Sequence, residues 1–590
     1  MKSNMKKIIF SVALLSAGMM FTSCSEDLLD QEKKGVVRID EFYHTDDDAL
    51  NARTAMYAKY ISEIGGTEGI WNAYIMGLNY SSDDVLAAGG HKADHADFRV
   101  VNEMNYTTSS VPIKNLYAHI FKAMYSANLI IENTKPESSV KKQVIAEARV
   151  LRAWGQLLAT QVYYQPPLED HVVSREERPT NDMSHEDLLK WCEKEAAEAA
   201  ADLPERKGQS DKEGAWVVTK GFAQFVAAKA ALFAGEYQKC YDYIKPLVES
   251  SNYALVPGER FRDLFHVEGD GCEEKIFEFN FTSNVAVGGA WGGTIQRGKW
   301  MVANVLNWRA DDFPGKSNAQ VKICSCNGWG GGAIQPDFAH KMLANDGDSY
   351  RRKATFLTSD EFMYDEKLAG WNSDDVKDKD GKVIGKLTLE QKQFDPNRGI
   401  SNTGGSFSRS DVMEVKMMMH PNDRGQLGDT NNNTNMCLAR LAEAYLIYAE
   451  ACIQLGKFDE ATTYINKIQN RAGSQTVTEN ISSKEDGMKV LMDEKQYELW
   501  FEGCRWLDIV RWGIAKQCYD KVLDNIPVQT DEYFTSGGTK PHKLTYKITH
   551  PFADAGITLQ FVEGKNEYWP LPQSEIEYNS NLHQVWGWGK

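Results

Sequence analysis

Four tryptophans in polar, glycine-rich surroundings are the side chains best suited to chemistry in this sequence. Trp291 sits in GGAWGG, Trp300 follows Arg297-Gly-Lys, Trp308 lies in NWRADD and Trp329 sits in NGWGGG. Glycine beside a ring leaves its face accessible and lets the chain bend toward a ligand. Sugars pack C–H faces on such rings and offer hydroxyls to nearby Asn, Asp, Arg and backbone groups, so this mixture suits carbohydrate recognition. Arg297, His91, Phe98 and Tyr106 are further ligand candidates from the polar stretches. Trp71, with Asn72 and Tyr74 near Gly69, suits either a ligand face or a helix start. Any one of the four tryptophans could also plug a loop onto a scaffold; at least one platform among them is expected.

Hydrolysis finds no comparable support. A glycosidase needs two acids about 5 to 10 Å apart across a cleft, and abundant carboxylates alone do not supply that geometry. There is no H-E-x-x-H, no G-x-S-x-G and no glycine-lysine phosphate loop. Residues 328–333 fit G-x-G-x-x-A, but no strand precedes them and Pro336 follows, so they read as a flexible loop. No enzyme is expected. Asn345, Asp346 and Asp348, or Asp429 with Asn431, Asn432 and Asn433, could offer oxygens to calcium, yet neither group has the spacing of an EF-hand loop. They read as solvated turns, and no cofactor is called for. Ten cysteines include no C-x-x-C pair, which removes zinc-ribbon and dithiol-redox readings. Cys240, Cys452 and Cys504 sit in apolar helical patterns and read as buried small hydrophobes.

The elements that must position these residues begin with an export signal. Lys2, Lys6 and Lys7 precede an apolar run from Ile8 to Phe21, and Thr22 and Ser23 lead into Cys24. The run falls short of the ~20 residues that a spanning helix needs. With 42% hydrophobic and 25% charged residues, the rest is the composition of a large folded protein. Its net charge of −17 argues against a nucleic-acid partner, which would require clustered cations.

Helical periodicity holds over two blocks, from about residue 46 to 253 and from about 436 to 513, and fails between them. In the first block it marks helices over 118–133, 140–164, 185–202 and 220–233, and Asp46, Asp47 and Asp48 mark a helix N-terminus. The intervening stretch, rich in Gly, Asn, Asp and Trp, reads as loops and short strands, with a hairpin turn at Asp380-Gly381. Residues 228–244 (AKAALFAGEYQKCYDYI) superimpose without a gap on 449–465 (AEACIQLGKFDEATTYI), matching Gly235 to Gly456, Tyr237 to Phe458 and Cys240 to Ala461. Each copy is an apolar helix, a glycine turn, an aromatic plug and a second helix, the arrangement of a tetratricopeptide-like hairpin. The fold class expected is mainly α: a helix-pair scaffold carrying a large loop-rich insertion with short strands.

Cys24 resembles the lipobox cysteine of bacterial lipoproteins, whose thiol is acylated. Ser25, Glu26 and Asp27 are similar to the acidic stretch that directs Bacteroidetes lipoproteins outward across the outer membrane. Residues 440–473 (RLAEAYLIYAEACIQLGKFDEATTYINKIQNRAG), 491–513 (LMDEKQYELWFEGCRWLDIVRWG) and 568–588 (YWPLPQSEIEYNSNLHQVWGW) resemble three blocks of the SusD/RagB family, in the family's order. Upstream, 148–168 and 117–128 resemble its paired early helices.

The resemblance implies a lipid-anchored outer-membrane protein facing the exterior. After a signal peptide over 1–23 it implies one unit over 24–590: an N-terminal helical part (24–255), a loop-rich ligand-binding part (256–435), a second helical part (436–515) and a loop-rich tail (516–590). It further implies oligosaccharide capture and delivery to a SusC-like TonB-dependent transporter. A RagB-like role in peptide uptake, or a helical scaffold of the transporter complex without a ligand of its own, are the alternatives. Two departures stand out. Lys495 replaces the usual arginine of a Glu-Arg pair, and Ile113 falls where starch-binding members place a tryptophan.

Overall fold

Side-chain caps set where the helices begin. In the computed structural model Thr45 opens α1 (Asp46–Tyr60) with a reciprocal pair: the Asp48 N–H donates to its hydroxyl at 3.0 Å and its own N–H donates to the Asp48 carboxylate at 2.8 Å. The acidic triplet Asp46, Asp47 and Asp48 thus lies on the first turn, as its composition predicts. Ser138 caps the helix Ser139–Tyr163 and Ser184 the helix His185–Ala199, each hydroxyl accepting a backbone N–H three residues on at 3.1 Å. The structure describes residues 42–65, 73–88, 95–281, 306, 330–358, 361, 375–377, 383–386, 411–418, 423, 434–529 and 546–589.

The long helices are α2 (Val111–Asn133), α3 (Ser139–Tyr163), α4 (His185–Ala199), α5 (Lys220–Phe233), α6 (Tyr237–Val248), α7 (Pro336–Asp346), α8 (Leu441–Gln454), α9 (Phe458–Ala472) and α10 (Lys484–Glu498). From α2 to α6, neighbours in sequence are neighbours in space, and the repeat closes the gap beyond: α6 packs on α8, and α8 on α9 and α10. The Tyr241 and Tyr448 rings stack at 5.1 Å across that junction, bringing together hairpins about 200 residues apart. Both hairpins turn alike. Gly235 and Gly456 take φ of 72° and 74°, and the following N–H donates back to Ala231 or Cys452 at 2.8 Å in each. Cys240 and Cys452 are fully buried, and Cys504 nearly so.

Ten short strands pair in five antiparallel twos among the described residues. Those that matter here are β1 (Val85–Ala87) with β3 (Gly332–Ile334), and β2 (Lys275–Phe279) with β8 (Met436–Arg440). The hairpin expected around Asp380-Gly381 has its strands paired, Val376 opposite Gly385 and Lys377 opposite Val383. Two expectations are corrected. The second helical block opens with strand β8 rather than helix, because Met436, Leu438 and Ala439 bury themselves beside β2. The stretch read as loops and strands also contains α7, where Pro336 is the first helical residue and Phe338, Ala339 and Met342 face the core.

The C-terminal segment returns to the N-terminal helices. The Trp569 N–H donates to the Val162 carbonyl at 2.8 Å, and its ring packs on Trp506 at 5.6 Å and over Gly77. No helix among the described residues is long and apolar enough to cross a membrane.

Candidate functional site

The loops expected to bind leave the scaffold at a common root. The Ala88 N–H donates to the Gly331 carbonyl at 2.8 Å, and the Tyr80 hydroxyl donates to the same oxygen at 2.7 Å. Ala88 is the last described residue before His91, and Gly330 the first after Trp329, so the two segments depart from adjacent ends of the β1–β3 ladder. Asn102 staples β1 from the side, accepting from the Ala87 N–H at 3.0 Å and donating to the carbonyls of Tyr80 and Val85. Leu306 packs against Gly332 so closely that a methyl group there would lie 2.5 Å from it. Under the ladder Arg505 holds Asp83 with two bonds of 2.7 and 2.8 Å, and burial together with that neighbouring carboxylate pushes Asp84 up to about 6.

The other root, at β2 and β8, is locked by buried charge. Arg440 at the end of β8 donates to Glu274 at 2.8 Å, to Glu498 at 2.6 Å and to Glu502 at 2.7 Å. Arg471 bridges Glu274 and Glu498, and Arg351 holds Asp346 through two bonds and also reaches Glu494 and Glu498. Lys416 donates to Glu502 at 2.6 Å and to the carbonyls of Glu498 and Trp500. Burial alone would raise the Glu498 carboxyl, but Arg471, Arg440 and Arg351 outweigh it and hold it at about 2. Asp346 is therefore a fully buried ion-pair partner rather than part of a solvated turn. Lys495 bonds Asp508 at 2.7 Å in a buried pair, so the lysine that departs from the family pattern has a structural role.

Of the candidate ligand residues, Trp71, His91, Trp291, Arg297, Trp300, Trp308 and Trp329, with Cys24, lie outside the described residues, as do Asp429, Asn431, Asn432 and Asn433. Two others pack inward. Phe98 is 2% exposed with its ring edge-on to Tyr80, and Tyr106 is 5% exposed between Trp569 and Trp588 with its hydroxyl donating to the Asn566 carbonyl. Apolar helix and tail partners take up both rings, so neither presents a face to solvent. Ile113 is fully buried and its carbonyl accepts from the Tyr163 hydroxyl at 2.6 Å.

A cavity of about 710 Å³ that the sequence did not reveal opens between α2, the 167–179 segment and the helix Gln573–Tyr578. Tyr117, Phe121 and Tyr125 line it from one face of α2, and Tyr578, 63% exposed, stands on the opposite wall beneath the Arg178 guanidinium at 4.5 Å. Glu169, Glu177 and Glu575 add carboxyl groups. Glu177 is engaged by His171 at 2.6 Å. The side chains of Glu169 and Glu575 have no hydrogen-bond or ion-pair partner among the described residues, and burial together with Glu575 pushes Glu169 up to about 7.

The described helices define a mainly α protein built from paired helices. Among solved structures, a laminarin-binding SusD-like protein matches with a TM-score of 0.66 at 20% identity, over 92% of this chain and 99% of that one. Surface glycan-binding protein A from Bacteroides thetaiotaomicron, in complex with laminarihexaose, matches with a TM-score of 0.67 at 16% identity, over 91% and 99%. A SusD-like protein of Bacteroides ovatus is 23% identical over 97% of both chains, and the starch-binding protein SusD of Bacteroides thetaiotaomicron is 22% identical over 71% of this chain and 74% of its own. The SusD family model matches residues 307–588. The chain belongs to the SusD/RagB family.

Proposed function

We propose that this protein is a non-catalytic cell-surface receptor that captures oligosaccharide and passes it to a SusC-like TonB-dependent transporter in the outer membrane. Lipid on Cys24 tethers it, with two or more acyl chains giving the stable anchoring that one does not. The observation that carries the reading is likeness to SusD-like proteins that bind laminarin, over 91% and 92% of the chain, and to the starch-binding protein SusD, over 71% of it. The common departure point of the segments carrying His91 and Trp329 supports it, since a ligand face built from both needs adjacent roots. Trp291, Trp300, Trp308 and Trp329, with Arg297, His91 and Trp71, remain the proposed contacts; Phe98 and Tyr106 pack into the core instead.

Native electrophoresis of residues 25–590 through gels containing starch, laminarin, xylan, mannan or pectin tests this reading. Retardation by one polymer, lost in Trp291→Ala, Trp300→Ala or Trp329→Ala, is expected, with the two glucans leading. Free migration through every polymer contradicts it.

A further inference from the structure

We propose that the cavity walled by α2 and the Gln573–Tyr578 helix is a second oligosaccharide site, selective for glycans that carry free amino groups. Its described lining comes from Lys59, α2, residues 167–179 and residues 575–582. Tyr117, Phe121 and Tyr125 recur every four residues along α2; Tyr125, 45% exposed, offers an open ring, while Tyr117 and Phe121, 5% and 9% exposed, form the apolar floor of the cavity. Tyr578, 63% exposed, stands across from Tyr125, and Ser174 supplies a hydroxyl at the lining, while the Asn579 amide is taken up by Pro179 and Asn581. Two open tyrosine rings beside carboxyl groups suit a sugar better than an apolar peptide.

Charge selects the kind of sugar. The carboxyl groups of Glu169 and Glu575 interact with each other and with the Tyr117 hydroxyl across the cavity; neither has a hydrogen-bond or ion-pair partner among the described residues, and His171, whose charge favours the ionised form of Glu169, is itself held by Asp170 and Glu177. The cations on the lining are placed otherwise. Lys59 pairs with Glu63, Arg178 donates to the carbonyls of Arg175 and Glu177 while stacking on Tyr578, and Lys122 is exposed at the rim. Glu177 is occupied by His171, which also bonds Asp170. An ammonium group placed between Glu169 and Glu575 would relieve their repulsion and lie within reach of the ring faces. A uronate or sulfate would add to the repulsion.

Isothermal titration of residues 25–590 with glucosamine hexaose, N-acetylglucosamine hexaose and cellohexaose separates charge from shape, since the three share one backbone. The glucosamine oligomer is expected to bind at least tenfold more tightly than the other two. Glu169→Gln and Glu575→Gln should abolish that preference and Tyr125→Ala should weaken binding of the glucosamine oligomer, while all three should leave retardation in the polymer gels unchanged. Thermal unfolding of each variant checks that it is folded. Equal affinity for the three oligomers, no binding of the glucosamine oligomer, a preference that survives both glutamine variants, or tighter binding of trilysine would each overturn the proposal. Because gel retardation reads the loop platform separately, failure here is distinguishable from failure of that platform.

Discussion

Replacing Glu498 with glutamine removes one charge from the buried network while keeping its shape. Glu498 accepts from Arg440 at 2.6 Å, from Arg471, and from Arg351 at 3.2 Å, and it is fully buried. Two routes give its contribution. Its carboxyl is held at about 2 against an ordinary 4.5, and at 1.36 kcal/mol per unit this corresponds to about 3 kcal/mol. Removing one partner from a buried ion pair costs roughly 3–5 kcal/mol by general experience. Glu498→Gln should therefore lose about 3 kcal/mol at pH 7, which an m-value of ~3 kcal/mol/M or more converts to a fall of about 1 M or less in the urea midpoint. Because the folded-state pKa is depressed, the stabilisation is complete above about pH 4.5 and is lost as pH falls toward 2. Urea titrations of wild type and variant between pH 7 and pH 2.5 should show a gap that narrows on acidification. A variant as stable as wild type at pH 7, or a gap indifferent to pH, would refute the reasoning.

Glu169 carries the opposite sign. Its folded-state carboxyl is raised to about 7, so ionising it costs stability from about pH 4.5 upward, and Glu169→Gln should stabilise by roughly 1–3 kcal/mol at pH 8 and little at pH 4.5. Paired thermal scans at the two pH values check this; the groups facing Glu169 there are Glu575, His171, Glu177 and Tyr117. Gly77→Ala would set a methyl 2.6 Å from the Trp569 ring, whose backbone is fixed to Val162, and should lose about 1–3 kcal/mol in chemical denaturation. A neutral Gly77→Ala would mean that the C-terminal segment is not seated on the N-terminal helices.

Legibility followed the range over which each signal acts. The long helices announce themselves through apolar periodicity, and the paired hairpins through Gly235 and Gly456, whose positive φ leaves glycine in both copies. Strand β8 looks helical in sequence because M-C-L-A-R is as apolar as a helix face; only its partner β2, some 160 residues away, decides the matter. Pro336 punctuates a sequence whether it ends a loop or begins a helix, so α7 leaves no clear local signal. The ion network draws on Glu274, Asp346, Arg351, Arg440, Arg471 and Glu498, and no local pattern links those positions. The cavity was hidden for the same reason. The ring stripe of Tyr117, Phe121 and Tyr125 looks like any apolar helix face until Glu169, Tyr578 and Asn579 arrive from distant segments. Phe98 and Tyr106 were assigned outward because polar neighbours surround them in sequence, whereas Tyr80 and Trp569 cover them in space.

Calorimetric titration of residues 25–590 with an oligosaccharide of the polymer that retards it bears most directly on the claim of glycan capture. A saturable isotherm in the wild type, abolished in the Trp291→Ala/Trp300→Ala/Trp329→Ala triple variant while its unfolding temperature is unchanged, is the result expected. An isotherm that the triple variant reproduces, or no heat from any glycan tried, would contradict it.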